Sequence, residues 1–108
     1  MLLEICAYSL SSCRIAKEAG ADRVELCAAP LQGGTTPSWG TINAAMELGL
    51  PIFPMIRPRG GNFLYNTEEL DVMWRDIRAC RELGCPGIAT GAQRSDGLRG
   101  VCRAAADQ

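Results

Sequence analysis

The sequence predicts an α/β fold, a partial TIM-type (β/α) barrel of about four βα units with parallel strands. Three observations predict it. Short apolar runs alternate with helical patterns across connections of a few residues, which implies parallel strands and right-handed crossovers. A phrase recurs as Ala-Gly-Ala-Asp at 19–22, Leu-Gly-Leu-Pro at 48–51 and Leu-Gly-Cys-Pro at 83–86, each time closing a helix and opening the next strand. The strands also carry polar residues where a sealed core would not. A flavodoxin-like open sheet, the alternative, would show more continuous apolar strands.

The elements follow in order. Leu2 to Ala7 reads as the first strand. Ser9 to Ala19 follows as a helix, with serines near its start and Gly20 as its stop. Arg23 to Cys27 is the second strand, and Ala28 to Pro37 a loop holding Gly33-Gly34-Thr35-Thr36. Ser38 can cap a helix over Trp39 to Leu48, and Pro51 to Ile56 is the third strand. Its exit loop runs from Arg57 to Asn66. Thr67-Glu68-Glu69 reads as a cap followed by acids in a first turn. Leu70, Met73, Trp74, Ile77, Cys80 and Leu83 then recur at helical spacing, with Gly84 as the stop. Gly87 to Thr90 is a short fourth strand, 91–97 a loop, and Leu98 to Ala106 a last helix.

The chain of 108 residues is read as one domain spanning 1–108. A net charge of −1 gives no electrostatic case for nucleic acid. No apolar segment approaches the roughly 20 residues of a membrane span. Met1-Leu2-Leu3-Glu4 lacks the basic start and long apolar core of a signal peptide, so a cytoplasmic location is expected. There the six cysteines stay reduced rather than forming a disulfide framework. Histidine is absent, so a metal site must use thiolates or carboxylates.

Two stretches carry candidate chemistry. Glu4-Ile5-Cys6 and Glu25-Leu26-Cys27 repeat Glu-x-Cys on consecutive strands. Period two places each Glu and its Cys on one face, the lumen face of a barrel, with the cysteines nearer the C-terminal rim. Adjacent parallel strands lie about 4.8 Å apart, so two thiols at matching heights are placed to share one soft ion such as Cu(I). The competing reading is that free cysteine packs as a small buried hydrophobe. Cys13, Cys80 and Cys102 fall in predicted helices and Cys85 in a turn, and for these packing is the reading. Glu4 and Glu25 are candidates for acid/base work, or for ion pairs with Arg57 and Arg59. The second stretch, Met55 to Phe63, ends a strand in Arg57-Pro58-Arg59-Gly60-Gly61. Fixed cations and a glycine turn at a sheet rim suit a small anionic molecule, and turn geometry alone is the competing reading of the glycines.

Taken together, these residues resemble the copper homeostasis protein CutC family. The resemblance rests on Leu3–Cys6, Gly20–Ala28, Gly33–Ser38 and Met55–Tyr65, and covers about residues 1–91. It implies a cytoplasmic TIM-type barrel that forms homo-oligomers and binds Cu(I) through Cys6 and Cys27. No reaction is firmly attached to the family, so an enzyme holding a small anion at Arg57, Arg59, Gly60 and Gly61 is the alternative. A full barrel takes about 250 residues, and this chain supplies four βα units at most. Residues 91–100 look like a later segment of the family, and its Phe-His-Arg sequence has no counterpart here. A half barrel is expected to dimerise to complete a barrel-like core, or to fold poorly.

Overall fold

The computed structural model describes residues 1–93 and 99–105. Strand β1 (Glu4–Ala7) leads to helix α1 (Leu10–Glu18), strand β2 (Arg23–Leu26) and a 3₁₀ turn at Pro30–Gln32. Helix α2 (Trp39–Met46), strand β3 (Ile52–Ile56), helix α3 (Thr67–Glu82), strand β4 (Gly87–Gln93) and strand β5 (Arg99–Ala105) complete the order. The five strands form one sheet in the order β1-β2-β3-β4-β5. β1 to β4 run parallel, as the alternating pattern requires, and β5 pairs antiparallel with β4.

Local chemistry accounts for the helix boundaries. Ser9 and Ser38 accept the backbone N–H groups of Ser12 and Thr41, capping α1 and α2. At α3 the cap is Asn66 rather than Thr67. Its side chain accepts from Glu69 N while the Glu69 carboxylate accepts from Asn66 N, a complete capping box. Thr67 becomes the first helical residue. The recurring phrase has one physical content: Gly20, Gly49 and Gly84 all stop their helices at positive φ, where a side chain is strained. The residue after each glycine (Ala21, Leu50, Cys85) is buried beneath the sheet's entrance.

Alternation sorts the strands into two faces. Val24, Leu26, Ile52 and Ile56 are fully buried against Cys13, Ala16, Ile42, Ala45, Met73 and Cys80 on the helices. Burying each large apolar side chain contributes about 1.5–3 kcal/mol. The opposite face carries Glu4, Cys6, Arg23, Glu25, Phe53 and Met55, which are half-buried or exposed. That face is the lumen face of the partial barrel.

The last element departs from expectation. Over Arg99–Ala105 the predicted helix is a strand in register with β4, from Gly87↔Ala105 to Gln93↔Arg99. Gly100 costs a helix about 1 kcal/mol, Val101 favours a strand, and the bare edge of β4 offers a ready ladder. β4 itself extends through Gln93, so the expected loop begins later, and its residues 94–97 lie outside the described ones. Among the described residues no helix is long and apolar enough to cross a membrane.

Candidate metal centre

The register of β1 and β2 sets Cys6 beside Glu25. Cys27 lies one step past the end of β2, held by its N–H donating to the Ala7 carbonyl at 2.9 Å. The Cys6 and Cys27 sulfurs are 3.8 Å apart. Those sulfurs and a Glu25 carboxylate oxygen all lie within 4.8 Å of one another. Cys6 is exposed, Glu25 half-buried and Cys27 buried. The repeated Glu-x-Cys thus brings both thiols and one of its two carboxylates to a single point at the rim.

Cys27 is the electrostatically constrained member. Burial pushes its thiol up to about 12, and the neighbouring charges of Cys6 and Glu25 push the same way. Tyr8 completes the surroundings: the neighbouring Cys6 raises its phenol above the ordinary value. Sequence reasoning missed Tyr8, although Glu4, Cys6 and Tyr8 follow the same period of two. The Gly33-Gly34 loop closes the other side. Gly34 sits at φ 97, and a Cβ there would meet Cβ and Sγ of Cys27 at 3.4 Å. The positive φ is what calls for glycine at this point, where the loop lies against the buried sulfur.

Glu4 has a different station. It pairs with Arg23 Nε at 2.5 Å, and that guanidinium lies 4.8 Å from the Phe53 ring centroid. This cross-strand stack sits one period deeper than the sulfurs and firms the lumen face.

The arginines of the third loop turn onto their own surroundings. Arg57 is buried and donates from Nη1 to the carbonyls of Gln32 (2.6 Å) and Gly34 (3.0 Å), and from Nη2 to Gly61 (2.8 Å). It also stacks 4.8 Å from the Phe63 centroid. Arg59 pairs with Glu69 at 2.5 Å and donates to the carbonyls of Gly60, Asn62 and Leu64. The Glu69 carboxyl is held below its usual range by the Asn66 N–H first and by Arg59 second. The Gly60 N–H donates to Gln32 Oε1, and a Cβ at Gly60 would come within 2.8 Å of that oxygen, so Gln32 would have to shift to admit one. The two loops are thereby laced together around Arg57. A cavity of about 170 Å³ remains beside them, walled by Glu25, Met55, Arg57, Phe63 and Thr90. Arg59, Gly60 and Gly61 do not line it.

Comparison with known proteins agrees with this architecture. The sequence model of the CutC family matches residues 1–103. A CutC family protein of Klebsiella pneumoniae subsp. pneumoniae is 52% identical over 97 residues, covering 89% of this chain and 39% of the relative. One from Salmonella newport is 53% identical over 97 residues with the same coverage. The crystal structure of a Streptococcus agalactiae CutC, named there for copper homeostasis, superposes with a TM-score of 0.80 at 42% identity. It covers 89% of this chain and 48% of that one. The chain spans about two fifths of the length of these curated relatives. Matched by the family model over residues 1–103 and by relatives at about half identity over most of its length, the chain belongs to the CutC family.

Proposed function

We propose that this chain takes part in cytoplasmic copper handling by binding Cu(I) between Cys6 and Cys27, with the Glu25 carboxylate as a third donor. The observation that carries this reading is the 3.8 Å separation of the two sulfurs. Metal–sulfur bonds of about 2.3 Å at trigonal angles place two sulfurs about 4.0 Å apart, close to that separation. Thiolates select Cu(I) over hard divalent ions. Packing does not explain the pair, because Cys6 is exposed. One sulfur open to solvent and one beneath the Gly34 loop suit a site that accepts an ion from outside and shields it.

Anaerobic titration with Cu(I) against a chromophoric competitor tests the reading. Cys6→Ser/Cys27→Ser is expected to lose one equivalent of tightly held copper. Unchanged stoichiometry and affinity would overturn it.

The cavity supports a second reading, a barrel site for a small anionic molecule. Glu25 and Arg57 share its wall, giving a carboxylate for proton transfer beside a cation. Its volume of about 170 Å³ is below the roughly 300–1,000 Å³ of drug-sized ligand sites, so the molecule would be small. A thermal-shift screen of small carboxylates and phosphates is expected to give a stabilising ligand whose effect Thr90→Val weakens. A screen in which none raises the melting point sinks this reading.

A further inference from the structure

The opposite end of the sheet holds a second group of sulfurs. Met46 closes α2, Cys80 lies in the last turn of α3, and Cys85 sits two residues before β4. All three therefore gather where strands begin, away from the rim where β1 and β2 end. The Cys85 Sγ lies 3.7 Å from the Met46 Sδ. The Cys80 and Cys85 thiols are neighbours that perturb each other's ionisation. The Cys85 N–H donates to the Cys80 carbonyl at 3.0 Å, which fixes the turn that brings the thiols together. Cys80 and Cys85 are buried, while Met46 is half-buried.

Packing alone is a weak account of Cys85. It occupies the position after the helix-stopping glycine, which the same phrase fills elsewhere with Ala21 and Leu50. The fold asks only for a buried apolar side chain there. Here the residue is a thiol, 3.7 Å from a thioether sulfur and tied by its backbone to Cys80.

We propose that Met46, Cys80 and Cys85 form a second soft-metal site, a three-sulfur site for Cu(I) at the N-terminal end of the strands. Three sulfurs about 2.3 Å from a common ion in a trigonal plane lie about 4.0 Å apart, and the Cys85–Met46 separation is within a few tenths of an ångström of this. Thiolate and thioether donors together select Cu(I), whereas Zn²⁺ takes four donors drawn from thiolate, imidazole and carboxylate. On loading, thiol protons pass to the buffer, S–Cu bonds replace S–H bonds, and the copper stays Cu(I). The site shares no residue with the rim pair, so it stands or falls separately from the proposal for Cys6 and Cys27.

The test is anaerobic Cu(I) titration of the full chain carrying Cys6→Ser/Cys27→Ser, with bicinchoninate as competitor. This variant is expected to hold one equivalent of Cu(I), with X-ray absorption showing a sulfur shell at about 2.3 Å. Adding Cys85→Ser is expected to abolish that equivalent. Adding Met46→Leu instead, a volume-conserving change that preserves the core, is expected to weaken it about tenfold, on the scale of losing a supporting group at a metal site. The proposal is overturned if Cys6→Ser/Cys27→Ser holds no copper. It is also overturned if Met46→Leu leaves both affinity and the sulfur shell unchanged, a readout that remains valid should Cys85→Ser fail to fold.

Discussion

Arg57→Ala is expected to destabilise the chain by about 3–5 kcal/mol, with a marked fall in the urea midpoint. The side chain is 7% exposed and donates to three carbonyls, those of Gln32, Gly34 and Gly61. Hydrogen bonds from a charged donor contribute about 1.5–3 kcal/mol each, and acceptors left dry cost further. The three bonds share one guanidinium, so their sum overstates the loss. Truncation also removes the contact with Phe63 and opens a void beside the cavity. Arg57→Lys is expected to recover little, since an ammonium cannot span acceptors on two loops as the planar fork does. Arg59 makes a comparable number of bonds, but its side chain is 37% exposed, and Arg59→Ala should cost only about 1 kcal/mol. A midpoint for Arg57→Ala no lower than that of Arg59→Ala would contradict this account. The effect should also reach the sulfur pair: Arg57 holds the Gly34 carbonyl, and Gly34 lies on Cys27.

The contrast between the two arginines shows where sequence reasoning succeeds. Strand order and the lumen face were legible because both depend on periodicity, and period two along Glu4–Cys6 and Glu25–Cys27 survives any detail of packing. The helix stops were legible because Gly20, Gly49 and Gly84 have a backbone reason to be glycine. The direction of Arg57 and Arg59 was not legible. A long side chain at a strand exit reaches outward or back onto its own loop, and the choice depends on carbonyls supplied by residues 32–34, far away in sequence. Glu4 was a candidate for acid/base work or for an ion pair with the loop arginines, and parallel register sets it against Arg23 on the neighbouring strand. The last element was misread for a similar reason. Local pattern suggested a helix over 98–106, and an unpaired edge on β4 decided for a strand over Arg99–Ala105.

The affinity of the rim site for Cu(I) is expected to rise at least tenfold for each pH unit between pH 6 and 9, because at least one proton must leave as the ion binds. Cys27 imposes this. Its thiol is pushed up to about 12 by burial, then by Cys6 and Glu25, so the metal-free site carries the proton throughout that range and copper must displace it. The sign of the accompanying stability effect is opposite. A folded-state value raised above the ordinary value of 9.0 means that the metal-free protein is favoured by a protonated Cys27. That contribution is complete below pH 9 and is lost as pH climbs from 9 towards 12. Alkali should therefore weaken the metal-free fold while strengthening copper binding, and copper should protect most where the metal-free protein is weakest. Cys27→Ser should remove both trends at once, leaving Cys6 as a lone exposed thiol. Copper affinity measured at several pH values, with the competitor's own protonation accounted for, decides the matter. A flat profile from pH 6 to 9 would mean that the buried sulfur never gives up its proton to the metal and that Cys27 is packing, not a ligand.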